Sequence, residues 1–434
     1  MIFASLLIVT IFHVMLFSKR GLLDPISILF LAFIYYSYVT PIVILTFDDV
    51  SVDFAGSQTW VRKEIIDESA ILFAVGYVGF CLSYFLCTAQ RDVQIPIEYN
   101  QRYPELFYDT YFRFLLILSI VTFIVFSILF RDELTTITES YEGKISENYE
   151  NSIFGFLYSF CLTLLSLLAN YYILNSKKYV RDSALIIVGF VFLSLLVFSK
   201  APLIYATLCA FCALHRLQRV PYPVLLIGLM IGAGLISVLF LPLFSVYRAS
   251  GEIQFVTLDA QTIRFMIAEA SSPFTIVHSA LSGYVRIEGH PLWQSFVLWI
   301  PRGLWESRPL DIAESFAQQV IVNWQSGFGL GFSPFAEAYA RVGILGSFLF
   351  MGMSGAVMAI LQRNFAGLMP PIMRIPATLT IGGIISVLFL RGAFSGLITQ
   401  SIQNWVPVVL ISLLASEVAR RRVKSQNGAK AIHR

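Results

Sequence analysis

The sequence predicts an all-α, polytopic membrane protein with about 11 transmembrane helices and one large outer loop. Three observations support this: hydrophobic residues make up 57% of the 434 residues, charged residues only 13%, and the apolar runs are long and continuous. A soluble globular protein is nearer to about 45–50% apolar and about 25% charged, so the composition excludes a soluble enzyme and a disordered chain. A membrane β-barrel would show alternating segments of about ten residues, and the long runs favour helices instead.

Eleven apolar runs come near the length of about 20 residues that a bilayer requires. They cover roughly residues 2–17, 26–46, 69–88, 114–130, 152–174, 184–199, 201–215, 223–246, 343–361, 375–390 and 396–415. Only Lys200 separates the sixth run from the seventh, and Pro202 interrupts the helical hydrogen bonds there, so we predict two short helices rather than one long one. A twelfth helix near residues 275–300 is the alternative.

The basic residues predict how the chain is oriented. If the loops after odd-numbered spans and the C-terminal tail face the cytoplasm, that side holds 18 of the 30 basic residues and 7 of the 27 acidic ones. The net charge is then +11 on the cytoplasmic side and −8 on the outer side, as the positive-inside rule requires. We therefore expect the N-terminus on the outer side and the C-terminus in the cytoplasm.

The spans divide the chain into four parts: an N-terminal membrane bundle at 1–246, a large outer loop at 247–342, a C-terminal membrane bundle at 343–416 and a basic cytoplasmic tail at 417–434. The outer loop contains segment 311–324, which has an apolar helical face and begins with Asp311 and Glu314 at the spacing of a capping box. We predict an amphipathic helix here, lying on the outer membrane face or packing over the span ends. The run 259–283 predicts a second helix, bent at Pro273.

Cations on the outer side point to an anionic ligand. The basic residues of the long loop are Arg248, Arg264, Arg286, Arg302, Arg308 and Arg341. All are arginine, whose planar guanidinium can bind phosphate through two hydrogen bonds. Lys200 and Arg391 lie in short outer turns, where a cation at bilayer depth is costly unless it pairs, binds a ligand or reaches the headgroups. Reaching the headgroups is the alternative to ligand binding for both.

Patterns for metal or nucleotide chemistry do not occur in the sequence. His278 and His290 lie 12 residues apart without an HExxH pattern or a cysteine partner, which argues against zinc. The glycine-rich stretch at 326–334 lacks the spacing of a nucleotide-binding loop, so it is either a flexible turn or an anion-binding nest. We therefore expect no metal and no cofactor.

Five segments resemble the Wzy-type polymerases of O-antigen or oligosaccharide repeat units, most closely the enterobacterial common antigen polymerases. They are SSPF at 271–274, FVLWIPRGLWESRP at 296–309, GLGFSPFAEAYARVGILG at 329–346, SKAPLI at 199–204 and LRGAFSG at 390–396. The resemblance implies a GT-C-like glycosyltransferase of the bacterial inner membrane that joins lipid-linked repeat units at the periplasmic face. The donor would be the growing glycan on undecaprenyl diphosphate, and the acceptor a single repeat unit on the same lipid. Further implied partners are membrane lipid and a chain-length regulator and a flippase of the same pathway, but no nucleic acid.

The resemblance also implies roles for individual residues. The candidates for binding the diphosphate are Lys200, Arg248, Arg264, Arg302, Arg308, Arg341 and Arg391. Fixed cations of this kind stabilise the charge that develops on a leaving diphosphate without a metal, and Arg308 and Arg391 are assigned to catalysis. Glu337 matches an acidic position at the exit of the loop and would accept the acceptor's proton. An ion pair between Glu337 and Arg341 is the alternative, and His278 is a second candidate for the base.

Three other functions are open. An O-antigen ligase uses the same lipid donor with a different acceptor and relies on a histidine of the large loop. A metal-dependent GT-C transferase would hold a divalent cation on acidic residues of the first outer loop, such as Asp48, Asp49 and Asp53. A transporter or flippase of lipid-linked sugars would place functional charges at the membrane midplane, whereas nearly all charges here lie at the predicted span ends.

Overall fold

The computed structural model describes residues 1–46, 52–54, 57–59, 63–88, 105–129, 152–176, 178–196, 201–217, 221–229, 272–285, 287, 289–300, 304–305, 307–320 and 332–432. Across these ranges the regular structure is helical, apart from a short antiparallel hairpin of β1 (Val52–Phe54) and β2 (Ser57–Thr59). The predicted all-α class is therefore confirmed.

The helices that precede the long loop are α1 (Ile2–Phe17), α2 (Pro25–Thr46), α3 (Lys63–Thr88), α4 (Glu105–Leu129), α5 (Ser152–Asn175), α6 (Tyr179–Leu196) and α7 (Ala201–Leu217). Residues 222–229 and 272–281 are also helical. A 3-10 helix follows at Leu292–Phe296, and the remaining helices are α8 (Ile312–Val320), α9 (Pro334–Leu368), α10 (Pro371–Phe389) and α11 (Ala393–Ile432).

Six stretches of the described helices are long and apolar enough to cross a membrane: Pro25–Thr46, Glu64–Thr88, Leu106–Val125, Pro334–Leu368, Pro371–Phe389 and Ala393–Gln426. Shorter apolar helices cover Ile2–Phe17, Ser159–Asn175 and Leu203–Arg216. A polytopic helical membrane protein is thus confirmed. The count of eleven spans, the GT-C-like arrangement and the orientation stay predictions. Most of the eighth predicted span lies outside the described residues.

Three helices extend well beyond the apolar runs that predicted them. α4 and α9 each begin nine residues before the predicted span, and α11 continues to Ile432. Each extension carries an ion pair between residues one helical turn apart: Asp109–Arg113 in α4, Glu337–Arg341 in α9 and Glu417–Arg421 in α11. Pairs at this spacing stabilise a helix where the apolar run has ended, so hydropathy alone underestimates its length.

The break predicted between the sixth and seventh spans is present. α6 ends at Leu196 and α7 begins at Ala201, and the two helices pack against each other. Lys200 itself lies outside the described residues.

The contact between α9 and α3 is the most extensive of the helix pairs described. Glycines bring the two backbones together. A Cβ atom at Gly79 would lie 2.3 Å from the carbonyl oxygen of Phe348, and a Cβ at Gly355 would lie 2.3 Å from that of Phe80. Small residues at such crossings allow close van der Waals packing within a membrane. The crossing fixes α9, whose first turn carries Glu337.

The predicted amphipathic helix of the long loop is present as α8. It buries Ile312, Phe316 and Ala317, and the Phe316 ring meets Phe332 at 5.7 Å in an edge-to-face contact. α8 therefore packs on the protein over the start of α9. Val320 on the same predicted face is 37% exposed, and residues 321–324 of the predicted helix lie outside the described residues. The other predicted helix is described only at 272–281.

Candidate functional site

Four segments of the chain meet where α9 and α11 begin and form a small cleft that is partly open to solvent. They are the segment at 290–298, the N-terminus of α8, the first turns of α9 and the start of α11. The polar side chains that line the cleft include His290, Ser295, Asp311, Glu337, Arg341 and Ser395. Two carboxylates, a guanidinium, an imidazole and two hydroxyls therefore share one small space.

Glu337 is held by the start of α9. Pro334 occupies the first turn, and the Ser333 hydroxyl caps it by accepting a 3.3 Å hydrogen bond from the backbone nitrogen of Phe335. Glu337 is 1% exposed. Its Oε1 accepts a 2.8 Å hydrogen bond from Arg341 Nε, and its Oε2 accepts one of 2.8 Å from the backbone nitrogen of Phe394. The ion pair expected as the alternative role of Glu337 is therefore present.

The turn between α10 and α11 has an unusual backbone at Ala393. Its φ of 55° lies in the left-handed region, which costs a non-glycine residue roughly 1–2 kcal/mol. Two contacts hold it: the Ala393 nitrogen donates to the Phe332 carbonyl oxygen at 3.1 Å, and the next nitrogen donates to Glu337. The start of α11 is thus anchored on α9 and on the residue that precedes it.

Asp311 begins α8 and reaches the same turn. Its Oδ1 accepts hydrogen bonds from the Ser395 hydroxyl at 2.7 Å and from the Ile312 nitrogen at 2.6 Å. Its own nitrogen donates to Glu314 Oε2 at 3.3 Å, which is one of the two hydrogen bonds of the predicted capping box. Burial raises the pKa of Asp311 to about 6, and the nearby carboxylates of Glu337 and Glu314 act in the same direction.

Arg341 and Arg308 hold the backbone of the segment at 290–300, which forms the side of the cleft opposite α8. Arg341 Nη1 donates to the His290 carbonyl oxygen at 3.0 Å, and Arg308 Nη1 donates to the carbonyls of Leu298 and Ile300 at 2.5 and 3.0 Å. The His290 ring shares a 2.9 Å hydrogen bond with Ser315 on α8. Burial lowers the pKa of His290, and the charge of Arg341 lowers it further.

The predicted site residues do not all meet. Glu337 and Arg341 line the cleft, whereas Arg308 supports it through backbone carbonyls. Arg391 lies in the turn before α11 with its guanidinium carbon 5.7 Å from the centroid of the Tyr36 ring. His278 is buried in the helix at 272–281 and does not line the cleft. The candidates outside the described residues are Lys200, Arg248, Arg264 and Arg302.

Five polar residues of the cleft had no catalytic or binding role in the sequence analysis: His290, Gln294, Ser295, Asp311 and Ser395. Asp311 had been interpreted only as a helix cap, His290 was considered only as a metal ligand, and Ser395 belonged to a turn noted for its arginine. Among the described residues that line the cleft, Asp311 and Glu337 outweigh one cation, Arg341, so this part of the site is acidic when both carboxylates are ionised. An acidic cleft is suited to accepting a proton and unsuited to holding a diphosphate.

Among the described residues, no three side chains of His, Cys, Asp or Glu lie close enough together to hold a metal ion. Asp48 and Asp49 of the predicted acidic loop fall outside that part of the chain. Asp53 lies in β1.

Comparison with known proteins gives one positive finding. No curated protein and no solved structure matches the chain. One part of the chain does match a family model. It runs from the second residue of α8 through α9 and α10 to most of α11, and it includes Glu337, Arg341 and Ser395. Residues 313–422, about a quarter of the chain, match the family model described as O-antigen polysaccharide polymerase Wzy, which confirms the resemblance to that family over this region.

Proposed function

We propose that the protein is a polymerase of lipid-linked oligosaccharide repeat units. The growing glycan is transferred from undecaprenyl diphosphate to a hydroxyl of a single lipid-linked repeat unit at the periplasmic face, and undecaprenyl diphosphate leaves. The observation that carries the proposal is the cleft formed by α8, α9 and α11 within the region that matches the polymerase family. Closeness to the enterobacterial common antigen polymerases is part of the proposal.

Acidic and basic side chains lie in adjacent parts of the site, which supports one role for the acidic part and another for the basic part. The cleft holds Asp311 and Glu337 with one guanidinium, which suits the acceptor hydroxyl. Arg391 lies one turn away towards α2, on the Tyr36 side, and we assign it with Lys200, Arg248, Arg264 and Arg302 to the diphosphate. Such cations stabilise a leaving diphosphate without proton transfer. Arg308 and Arg341 act as positioning residues, because both hold backbone carbonyls of the segment at 290–300.

The site of action follows from the membrane spans and the predicted orientation. The apolar helices and the family match support a multi-pass protein of the bacterial inner membrane. The orientation proposed from the basic residues puts the N-terminus and the cleft on the periplasmic side. Two contacts join residues that this orientation assigns to the same side. The Met1 amino group pairs with Asp67 at 3.1 Å on the outer side, and Arg20 pairs with Asp24 beside Tyr84 on the cytoplasmic side.

Reconstitution tests the proposal. The purified protein in lipid is supplied only with synthetic undecaprenyl-diphosphate-linked repeat units, and products are separated by length. We expect a ladder of longer glycans that persists when EDTA is added. If all extension stopped with EDTA and returned with a divalent cation, a metal-dependent transferase would replace the metal-free mechanism. A complete failure to extend the repeat units would reject the polymerase.

Alanine variants test the diphosphate ligands in the same assay. Lys200→Ala and Arg391→Ala should insert normally yet give short or no ladders. The matched control is Arg363→Ala, because Arg363 is an exposed cation elsewhere on α9. Ladders of normal length in both test variants would remove these residues from the diphosphate site.

A ligase is the second candidate, and one observation favours it. A ligase relies on a histidine of the large loop, and His290 of that loop lines the cleft. A ligase would transfer the glycan to a different acceptor, so it would make no ladder from repeat units alone. The reconstitution therefore distinguishes the two.

A further inference from the structure

Asp311 is one of the two carboxylates that the proposed polymerase places beside the acceptor hydroxyl, and its two oxygens differ in their contacts. Its Oδ1 is fixed by the Ser395 hydroxyl and the Ile312 nitrogen, at 2.7 and 2.6 Å. Of the residues that the structure describes, none donates a hydrogen bond to Oδ2. The carboxyl group is therefore held in one orientation by one oxygen, while the other can meet a ligand in the cleft.

Glu337 differs from Asp311 in this respect. Its Oε1 is bonded to Arg341 and its Oε2 to the Phe394 nitrogen, and its residue is 1% exposed. Accepting a proton on either oxygen would break a hydrogen bond to a charged or backbone donor inside the protein. Glu337 is therefore suited to act as a fixed anion that anchors α11 and Arg341.

The charges around Asp311 favour a basic carboxylate. Glu314 on the same helix and Glu337 on α9 both oppose its ionisation, as does burial. Arg341 is neutralised by its pair with Glu337, and His290 faces the cleft from the opposite segment with its ring bonded to Ser315. An ordinary aspartate is a weak base at neutral pH, and a carboxylate in this setting is a stronger one.

We propose that Asp311 is the general base of the transfer reaction, an inference that rests on the proposed polymerase. Asp311 Oδ2 takes the proton from the acceptor hydroxyl as that oxygen forms a bond to the anomeric carbon of the donor glycan. The bond between that carbon and the phosphate oxygen breaks, and undecaprenyl diphosphate leaves with the electron pair. The proton on Asp311 is then lost to water, which restores the carboxylate.

The main competing role for Asp311 is structural, because it caps α8. Asparagine caps helices about as well as aspartate and can accept the same hydrogen bonds through its amide oxygen. Asp311→Asn therefore removes the base and keeps the cap. Glu417→Gln is the control, because it removes an exposed carboxylate near the other end of α11 that takes no part in the cleft.

The experiment measures initial rates of extension for the wild type, Asp311→Asn, Asp311→Ser, Asp311→Glu and Glu417→Gln in lipid, from pH 5 to 8. We expect Asp311→Asn to lower kcat about 10²–10⁴-fold with little change in KM for the donor, and Glu417→Gln to keep the wild-type rate. Asp311→Glu should restore part of the lost rate. The wild-type rate should fall as pH drops through about 6, and the residual rate of Asp311→Asn should not.

The outcomes separate the two proposals. An active wild type with an equally active Asp311→Asn and an unchanged pH profile would overturn the role of Asp311 and leave the polymerase standing. Loss of activity in Asp311→Asn together with loss of the cooperative thermal transition would be a folding defect. In that case Asp311→Ser decides, because serine also caps a helix but has no carboxylate. A folded Asp311→Ser with the wild-type rate and pH profile would overturn the role. An inactive wild type would reject the polymerase itself.

Discussion

Oε2 of Glu337 accepts a 2.8 Å hydrogen bond from the backbone nitrogen of Phe394, 57 residues further along the chain. The bond joins the first turn of α9 to the first turn of α11. Because the same carboxylate also pairs with Arg341, and Arg341 holds the His290 carbonyl, one buried anion connects three sides of the cleft. Glu337 therefore determines the shape of the site, whichever group moves the proton.

Glu337→Gln should strongly lower the free energy of unfolding. Gln can still accept from the Phe394 nitrogen, but Arg341, 15% exposed, is left without its counterion. Breaking a buried ion pair from one side costs about 3–5 kcal/mol. We expect a clear fall in Tm in detergent, measured by intrinsic fluorescence, and a partial recovery in Glu337→Gln with Arg341→Met.

An exposed pair on α11 provides the control. Glu417 and Arg421 have the same spacing and a 2.9 Å contact, with side chains 53% and 79% exposed. Glu417→Gln should change the free energy of unfolding very little, because solvent and salt screen an exposed ion pair. Equal losses in the free energy of unfolding for Glu337→Gln and Glu417→Gln would contradict the role of Glu337 in anchoring α11 and Arg341.

Gly343→Ala should destabilise the protein through backbone strain alone. Gly343 has φ 70° and ψ −176° inside α9, and a Cβ there would meet no atom within 4 Å. This backbone conformation is essentially restricted to glycine, and forcing another residue into it costs of order 1–3 kcal/mol. The kink at Gly343 also turns the segment that carries Glu337 away from the axis of the membrane part of α9. Because the substitution would disturb this kink, extension activity should fall together with Tm.

The control for Gly343 lies in the same helix. Gly367 is helical, and a Cβ at that position also meets nothing within 4 Å. Gly367→Ala should leave Tm unchanged or raise it slightly, because alanine is the better helix former. A Tm for Gly343→Ala at or above that of Gly367→Ala would exclude strain at the kink.

Hydropathy predicted the membrane helices because a run of bilayer length is a strong local signal. α1, α2 and α5 begin and end within about a turn of their predicted spans. The signal failed where helices leave the membrane, since the polar first turn that carries Glu337 and Arg341 has no apolar run. Gly343 marks that change from surface helix to membrane helix.

The site was harder to predict because it depends on contacts between distant residues. Asp311 and Ser395 are 84 positions apart, and Arg341 and His290 are 51 apart. A single sequence does not show that these residues meet. Asp311 carried only the local signal of a helix cap, which is common, whereas Glu337 was found through a resemblance to known sequences.

Close packing of α3 on α9 should be essential for stability. Gly79→Ala and Gly355→Ala would each place a methyl group 2.3 Å from a backbone carbonyl of the opposite helix. Backbone cannot move aside as a flexible side chain can, and overpacking costs typically about 1–3 kcal/mol. We expect both variants to lower Tm and the yield of folded protein. Gly189→Ala on α6 is the control, since a Cβ there meets nothing within 4 Å; a similar loss in all three variants would point to a general effect of removing glycine.

Asp311→Asn should raise stability at neutral pH even as it removes activity. Burial raises the pKa of Asp311 from 3.8 to about 6, so the folded state favours the protonated acid. The wild type therefore loses stability as pH rises from about 4 through 6, by at most roughly 3 kcal/mol. Asparagine stays neutral and avoids this loss. The Tm of Asp311→Asn should exceed that of wild type at pH 8, and the difference should shrink as pH falls below 6. With Glu417→Gln as the control, a Tm difference between Asp311→Asn and wild type that is constant with pH would show that Asp311 does not titrate in this range.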